Sequence, residues 1–202
     1  MDIIIMLIII VLLILAFTFL PGFRADGGTG ENGLPKKALT ESGTDKVKAR
    51  LKRFASSNGW RYIEACSFTK DGITKEIPAM VVGCFGVLAV NAVGRNGEIY
   101  GTAADDVWVQ ITGTGKEKFE NPFNESAFMV RMIRDVLIEE KQKSVPVECF
   151  PVFCAKKLQL GVPKSLNAVT LKQLGKKLSA DKYYQDKGVD FEKIADALEK
   201  RN

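Results

Sequence analysis

Acidic side chains gathered around a turn are the first candidates for chemistry in this chain. Glu98, Asp105 and Asp106 flank the approach to an alternating apolar pattern, Val107-Trp-Val-Gln-Ile111. Carboxylates that converge can hold a hard divalent cation, which activates water and stabilises charge on a transferring phosphoryl group. Lys75 and Arg95 stand in the same part of the chain and could meet a phosphate without any metal. Taken singly, the acids read as solvated loop residues, with Asp105-Asp106 shaping the turn before Trp108, and the two cations read as surface charge. One absence decides more: the chain contains no histidine. Ser-His-Asp and Cys-His nucleophile systems in their usual form are excluded, as are His-based metal sites. Cys66, Cys84, Cys149 and Cys154 lack the paired spacing of a zinc site. Cys149 and Cys154 bound an apolar segment, Cys149-Phe-Pro-Val-Phe-Cys154, which points to buried packing.

The elements that would carry these residues follow a strongly apolar start. From Ile3 to Leu20 the only polar residue is Thr18, and at 1.5 Å per residue this run reaches roughly 27 Å, about one bilayer core. Asp2 ahead of it and Pro21-Gly22-Phe23-Arg24 behind it do not suit a cleaved signal peptide, so a single transmembrane helix is expected. Lys and Arg are absent before the run, whereas Arg24, Lys36, Lys37, Lys46, Lys48, Arg50, Lys52 and Arg53 follow it. That asymmetry predicts a cell-membrane protein with its C-terminal part in the cytoplasm, where the cysteines stay reduced. Residues 21–42, rich in Gly, Ser, Thr and charge, read as a flexible tether, leaving 43–202 as one folded domain. The net charge of +5 and pI near 9.0 admit an anionic partner, yet Asp and Glu are interspersed and no long basic block appears.

Within the domain, Val47, Leu51, Phe54 and Ala55 fall at helical spacing behind Ser42 or Thr44 as a cap, and Asn58-Gly59 ends that helix. Trp60 to Phe68 reads as a strand, Lys70-Asp71-Gly72 as a turn, and Met80 to Val90 as a buried hairpin folded about Gly83-Cys-Phe-Gly86. Glu98-Ile-Tyr100 and Val107 to Ile111 continue a meander. After Asn121-Pro122, the stretch Phe123 to Lys141 predicts a long helix with Phe123, Ala127, Val130, Ile133, Arg134, Leu137 and Ile138 on its core stripe. Val145 to Phe153 predicts a strand whose Pro146 and Pro151 suit a strand start, an edge or a bulge. Helical patterns at Leu171 to Leu178 and Phe191 to Lys200, the latter capped by Asp190, close the chain. The order predicts an α/β domain with a mixed sheet flanked by helices.

The stretch from Glu76 to Phe153 resembles the nuclease-related domain, the NERD family, a branch allied to the PD-(D/E)xK nucleases. The residues that carry the resemblance are Glu76-Ile77, Met80-Val-Val-Gly83, Gly86-Val87-Leu88, Gly97-Glu-Ile-Tyr-Gly101, Trp108-Val-Gln110, Asn121-Pro122, Val145-Pro-Val147 and Val152-Phe153. In such nucleases an acid on the first strand and a Glu-x-Lys on the second hold Mg²⁺ and activate water. The resemblance matches those three positions to Pro78, Asn91 and Val93. A further helix glutamate falls near Thr44, with Asp45 beside it, and Glu125 stands in the helix after Asn121-Pro122. A lone Asp45 beside neutral Asn91 cannot satisfy a cation that demands near-octahedral oxygen ligands.

The expectation is therefore a membrane-anchored NERD-like domain without catalysis or cofactor, acting as a binding or scaffold module. Its partners would be a lipid bilayer through Ile3 to Leu20 and, for the domain, a protein; nucleic acid is the further option. The alternative is a DNA nuclease with a migrated site that uses Mg²⁺ through Asp45, Glu125 or Glu98. A salt-sensitive module at the membrane surface is a third reading. Trp60, Tyr62, Tyr100 and Trp108 sit at strand positions that suit packing, and Tyr183-Tyr184 lies in a polar stretch that suits exposure.

Overall fold

The computed structural model describes residues 36–200, and the span expected at 3–20 and most of the tether lie outside them. No helix among the described residues is long and apolar enough to cross a membrane. Helix α1 (Lys36–Asn58) starts ahead of the cap expected at Ser42 or Thr44, so the last part of the expected tether is helical. Its buried stripe is the predicted one, Val47, Leu51, Phe54 and Ala55.

Three antiparallel strands follow: β1 (Arg61–Lys70), β2 (Ile73–Gly83) and β3 (Gly86–Val93). Asp71 and Gly72 close the first hairpin, both with positive φ (51° and 76°), the conformation that matches the twist of the flanking strands. The second hairpin closes at Cys84-Phe85, and Gly86 is required there: at φ 118° its added Cβ would lie 2.3 Å from the Pro146 carbonyl oxygen. The chain then leaves this sheet. Strands β4 (Gly97–Tyr100), β5 (Val107–Thr112) and β6 (Gly115–Glu120) pair antiparallel in a second sheet, so the single meander expected from sequence divides in two. Helix α2 (Pro122–Glu139) returns to the first sheet, and β7 (Val147–Phe153) pairs parallel to β3. Strand β8 (Leu158–Gly161) joins β4, β9 (Val169–Thr170) joins β7, and α3 (Leu171–Leu178) and α4 (Phe191–Glu199) complete the layers.

The result is a five-stranded mixed sheet, β1-β2-β3-β7-β9, and a four-stranded mixed sheet, β6-β5-β4-β8. Strand β7 is therefore interior, and of the starts, edges and bulges that suit proline, Pro146 takes the place just ahead of the strand start. Strand β9 pairs only with Val152 and Phe153, so Pro151 stands just before that ladder begins. Helices α2 and α4 cover one face of the larger sheet around Met80, Val82, Met132, Ile133 and Ile194, while α1 and α3 cover the other around Leu51, Ala79, Val81, Leu88 and Leu174. A third apolar group, Val93, Ile99, Trp108 and Phe153, joins the second sheet to the ends of β3 and β7.

The stripe of α2 is rotated from the one expected. Ser126, Met129, Met132, Ile133, Val136 and Leu137 face inward, while Ala127, Arg134 and Ile138 are exposed. Met129 and Met132, unbranched and adaptable, are buried in the cluster between α2 and the sheet.

A local reversal in the β1–β2 ladder sets up the site. Ile63 and Met80 face α2 and α4, as do Cys66 and Ile77, although strict alternation would send Cys66 and Ile77 to the other face. The faces exchange at Ala65 and Pro78, the one opposed couple between the pairs Glu64–Ala79 and Cys66–Ile77. Ala65 has φ 46°, and Pro78 has no N–H to donate. One residue on each strand drops out of the alternation, so the register survives while every side chain beyond changes sides. Lys75, paired with Phe68, is thereby carried to the α2 face.

Candidate functional site

Lys75 meets α2 at its first turn. Its Nζ donates to Glu125 Oε1 at 2.9 Å and to Glu120 Oε2 at 2.9 Å. The second oxygen of Glu125 accepts from Asn91 Nδ2 at 2.9 Å, and the same amide nitrogen lies 3.3 Å from the Pro122 carbonyl oxygen. One carboxylate thus joins β2, β3 and α2. Asn91 is 6% exposed, so its amide needs these acceptors. Glu125 gains further from the helix start, where unpaired N–H groups favour negative charge. Burial alone would lower the Lys75 pKa, but its hydrogen bonds to Glu120 and Glu125 outweigh this and hold the ammonium above its ordinary value.

The helix start is itself fixed by Asn121, which is fully buried. Its Oδ1 accepts from Phe123 N at 2.9 Å, and its Nδ2 donates to the Asp105 carbonyl oxygen at 2.8 Å. Pro122 occupies the first turn, as the sequence predicted. Beneath Asn91, the Cys149 thiol is pushed up to about 12 by burial, so it stays protonated and is a poor nucleophile.

The other sequence candidates do not join this group. Asp45 lies exposed on α1, which covers the opposite face of the sheet. Glu98 sits in the second sheet, where Tyr100 Oη donates to it at 2.6 Å. Asp105 accepts from the Thr102 backbone N–H and hydroxyl, both at 2.8 Å, and shapes the turn as expected; Asp106 accepts from Asn124 Nδ2 at 3.2 Å. Arg95 is bound to Gln110 and Glu117 and lies 4.3 Å above the Phe119 ring centre. Val93 is packed beside Trp108 and Phe153, and Pro78 marks the reversal in β2. Two aromatic expectations also need correction: Tyr100 is partly exposed, and Tyr183 is buried against Phe54 and Phe85, leaving Tyr184 as the exposed member of its pair.

Sequence reasoning paired Asn91 and Glu125 only as separate candidates and missed Glu120. The signal for Glu120 was its place next to the Asn121-Pro122 cap, which any residue ahead of the helix shares. What united them was the face reversal at Pro78. Among the described residues, no group of three or more Asp, Glu or Cys side chains is placed to hold a metal ion.

These elements, from α1 through β7, coincide with a match to a profile of the nuclease-related domain over residues 39–154. The chain belongs to the NERD family. No curated protein and no solved structure matches it. In this NERD domain the family match ends at Cys154, so β8, β9, α3 and α4 lie beyond it. The residues available around Asn91 do not fit a divalent cation: the two carboxylates, Glu120 and Glu125, already share the Lys75 ammonium, and the neighbouring strand offers a neutral amide.

Proposed function

We propose that this protein is a membrane-anchored NERD domain in which an internal ion pair has replaced the nuclease metal site, leaving a binding or scaffold module. The observation that carries this reading is Glu125, whose two oxygens are engaged by Lys75 and Asn91. Two carboxylates side by side require a cation between them. A carboxylate facing an asparagine amide and a lysine does not. Pro78, Asn91 and Lys75 act together: proline at position 78 accompanies the reversal that delivers Lys75, and the amide at 91 removes the second negative charge. Val93 fills apolar space at the end of β3, where a lysine would be buried among Ile99, Trp108 and Phe153. The anchor rests on the apolar run Ile3 to Leu20 and the basic residues after it.

Two measurements test this reading. The purified full-length protein, incubated with single- and double-stranded DNA in Mg²⁺ or Mn²⁺, is expected to leave the DNA intact. Carbonate washing of membranes is expected to leave the protein in the pellet. Metal-dependent cleavage that disappears in Glu125→Gln or Lys75→Met would instead establish a migrated nuclease site built from Glu120, Glu125 and Lys75. The meeting of two acids and a lysine at one point is the observation that favours this second reading.

A further inference from the structure

The two helical layers of the NERD domain carry opposite charge. Helix α1 holds Lys46, Arg50 and Arg53 at spacings of four and three residues, which places them along one flank. That flank adjoins α3: Arg50 donates to the Leu171 carbonyl oxygen, and Leu51 shares an apolar cluster with Leu174 and Leu178. Helix α3 reads Leu-Lys-Gln-Leu-Gly-Lys-Lys-Leu, with no acidic residue, and exposes Lys172 and Lys176. Among the described residues no carboxylate pairs with Lys46, Arg53, Lys172 or Lys176, whereas Lys48 on α1 pairs with Glu64 and Lys177 on α3 with Glu148. Across the sheet, α4 presents Glu192, Asp196 and Glu199, which hold Arg61.

We propose that the α1–α3 flank docks on an anionic lipid surface and so sets the orientation of the domain at the membrane. The inference rests on the reading of Ile3 to Leu20 as a span. Residues 21–35 separate that run from α1, and even a fully extended chain of this length reaches at most about 50 Å. Helix α1, the first described element after that run, is therefore kept within about 50 Å of the membrane, and it is the element with the basic flank. Lysine and arginine close to such a surface are attracted by its negative potential, which fades within a Debye length. The acidic α4 on the far side is repelled by the same field, so a single orientation is favoured. Nucleic acid suits the flank less well, because strand binding uses successive aromatic platforms and Tyr184 is the exposed aromatic near the end of α1.

The test uses the full chain in nanodiscs of neutral phosphatidylcholine, with or without phosphatidylserine, and measures amine labelling at single lysines. In discs containing phosphatidylserine, Lys46, Lys172 and Lys176 should label several-fold more slowly than in neutral discs, and high salt should abolish the difference. Lys193 on α4 should label equally in both and serves as the internal reference. Combined Arg53→Glu, Lys172→Glu and Lys176→Glu substitutions should remove the lipid-dependent protection of Lys46. Equal labelling in both lipids by a chain embedded in the discs overturns the docking and leaves the anchor standing. So does protection that requires an added DNA duplex, or protection that survives the three substitutions. A chain that elutes apart from the discs overturns the anchor, and the docking with it.

Discussion

The two faces of the five-stranded sheet use charge in contrasting ways. Under α2, Lys75, Glu120, Glu125 and Asn91 hydrogen-bond one another, with Glu120 at the exposed rim of the group. On the α1–α3 side, Lys46, Arg53, Lys172 and Lys176 are exposed and lack carboxylate partners among the described residues. A charged cluster that is closed on itself acts as a structural tie between elements. A row of like charges left open raises the local potential and invites a partner of opposite sign. By this contrast, the position where the family resemblance placed catalysis is the tie, and the flank whose basic residues the sequence offers both as topology charge and as a salt-sensitive membrane-surface module is the open one.

The largest way to break the contrast is Asn91→Asp. It removes the donor to Glu125 and sets a second carboxylate against it in a buried position, and should cost about 3 kcal/mol at neutral pH. Denaturant unfolding checks this, and the loss should shrink as pH falls and one of the two acids protonates. Glu125→Ala should cost less, about 2 kcal/mol, because Lys75 keeps Glu120 and Asn91 keeps the Pro122 carbonyl.

The ion pair itself is smaller again and should reveal itself through pH. The folded Lys75 pKa is raised above its ordinary 10.5, so its contribution is fully present below that value and is lost as pH rises through the folded value. The stability difference between the wild type and Lys75→Met, about 1 kcal/mol at neutral pH, should therefore close in strongly alkaline solution. Tyr62 and Cys149, both pushed up to about 12 chiefly by burial, also destabilise the fold on ionising, but they do so in both proteins and cancel in the difference. Smallest of all, Lys172→Glu on the open face should alter stability by no more than about 0.5 kcal/mol while weakening any salt-dependent lipid association.

Much of the fold was legible because local patterns and tertiary burial agreed. The stripe of α1, the Asp71-Gly72 turn, the Cys84-Phe85 hairpin and the Asn121-Pro122 helix start each combine a strong local preference with the position they occupy. Strands β6 and β8 were missed because Gly-Lys-Glu-Lys-Phe-Glu and Leu-Gln-Leu-Gly bury little: they are the edges of the second sheet, where charge on a strand protects against unwanted pairing. The candidate site was half legible. Asn91 and Glu125 were named, but alternation along β2 would have put Lys75 on the α1 face, and the reversal at Pro78 and Ala65 appears only when the two strands are paired. Position 78 was read as a lost acid; its backbone consequence needed the partner strand.

The central claim, that the Lys75 ammonium takes the place of a metal ion beside Glu125, is tested most directly by thermal unfolding with and without about 10 mM Mg²⁺ at fixed ionic strength, since any ion bound to the native state alone raises the midpoint. The midpoint of the wild type is expected to stay unchanged, while that of Asn91→Asp, combined with Lys75→Met to free the carboxylates, should rise. A wild-type midpoint that climbs with Mg²⁺ and stops climbing in Glu125→Gln would contradict the account.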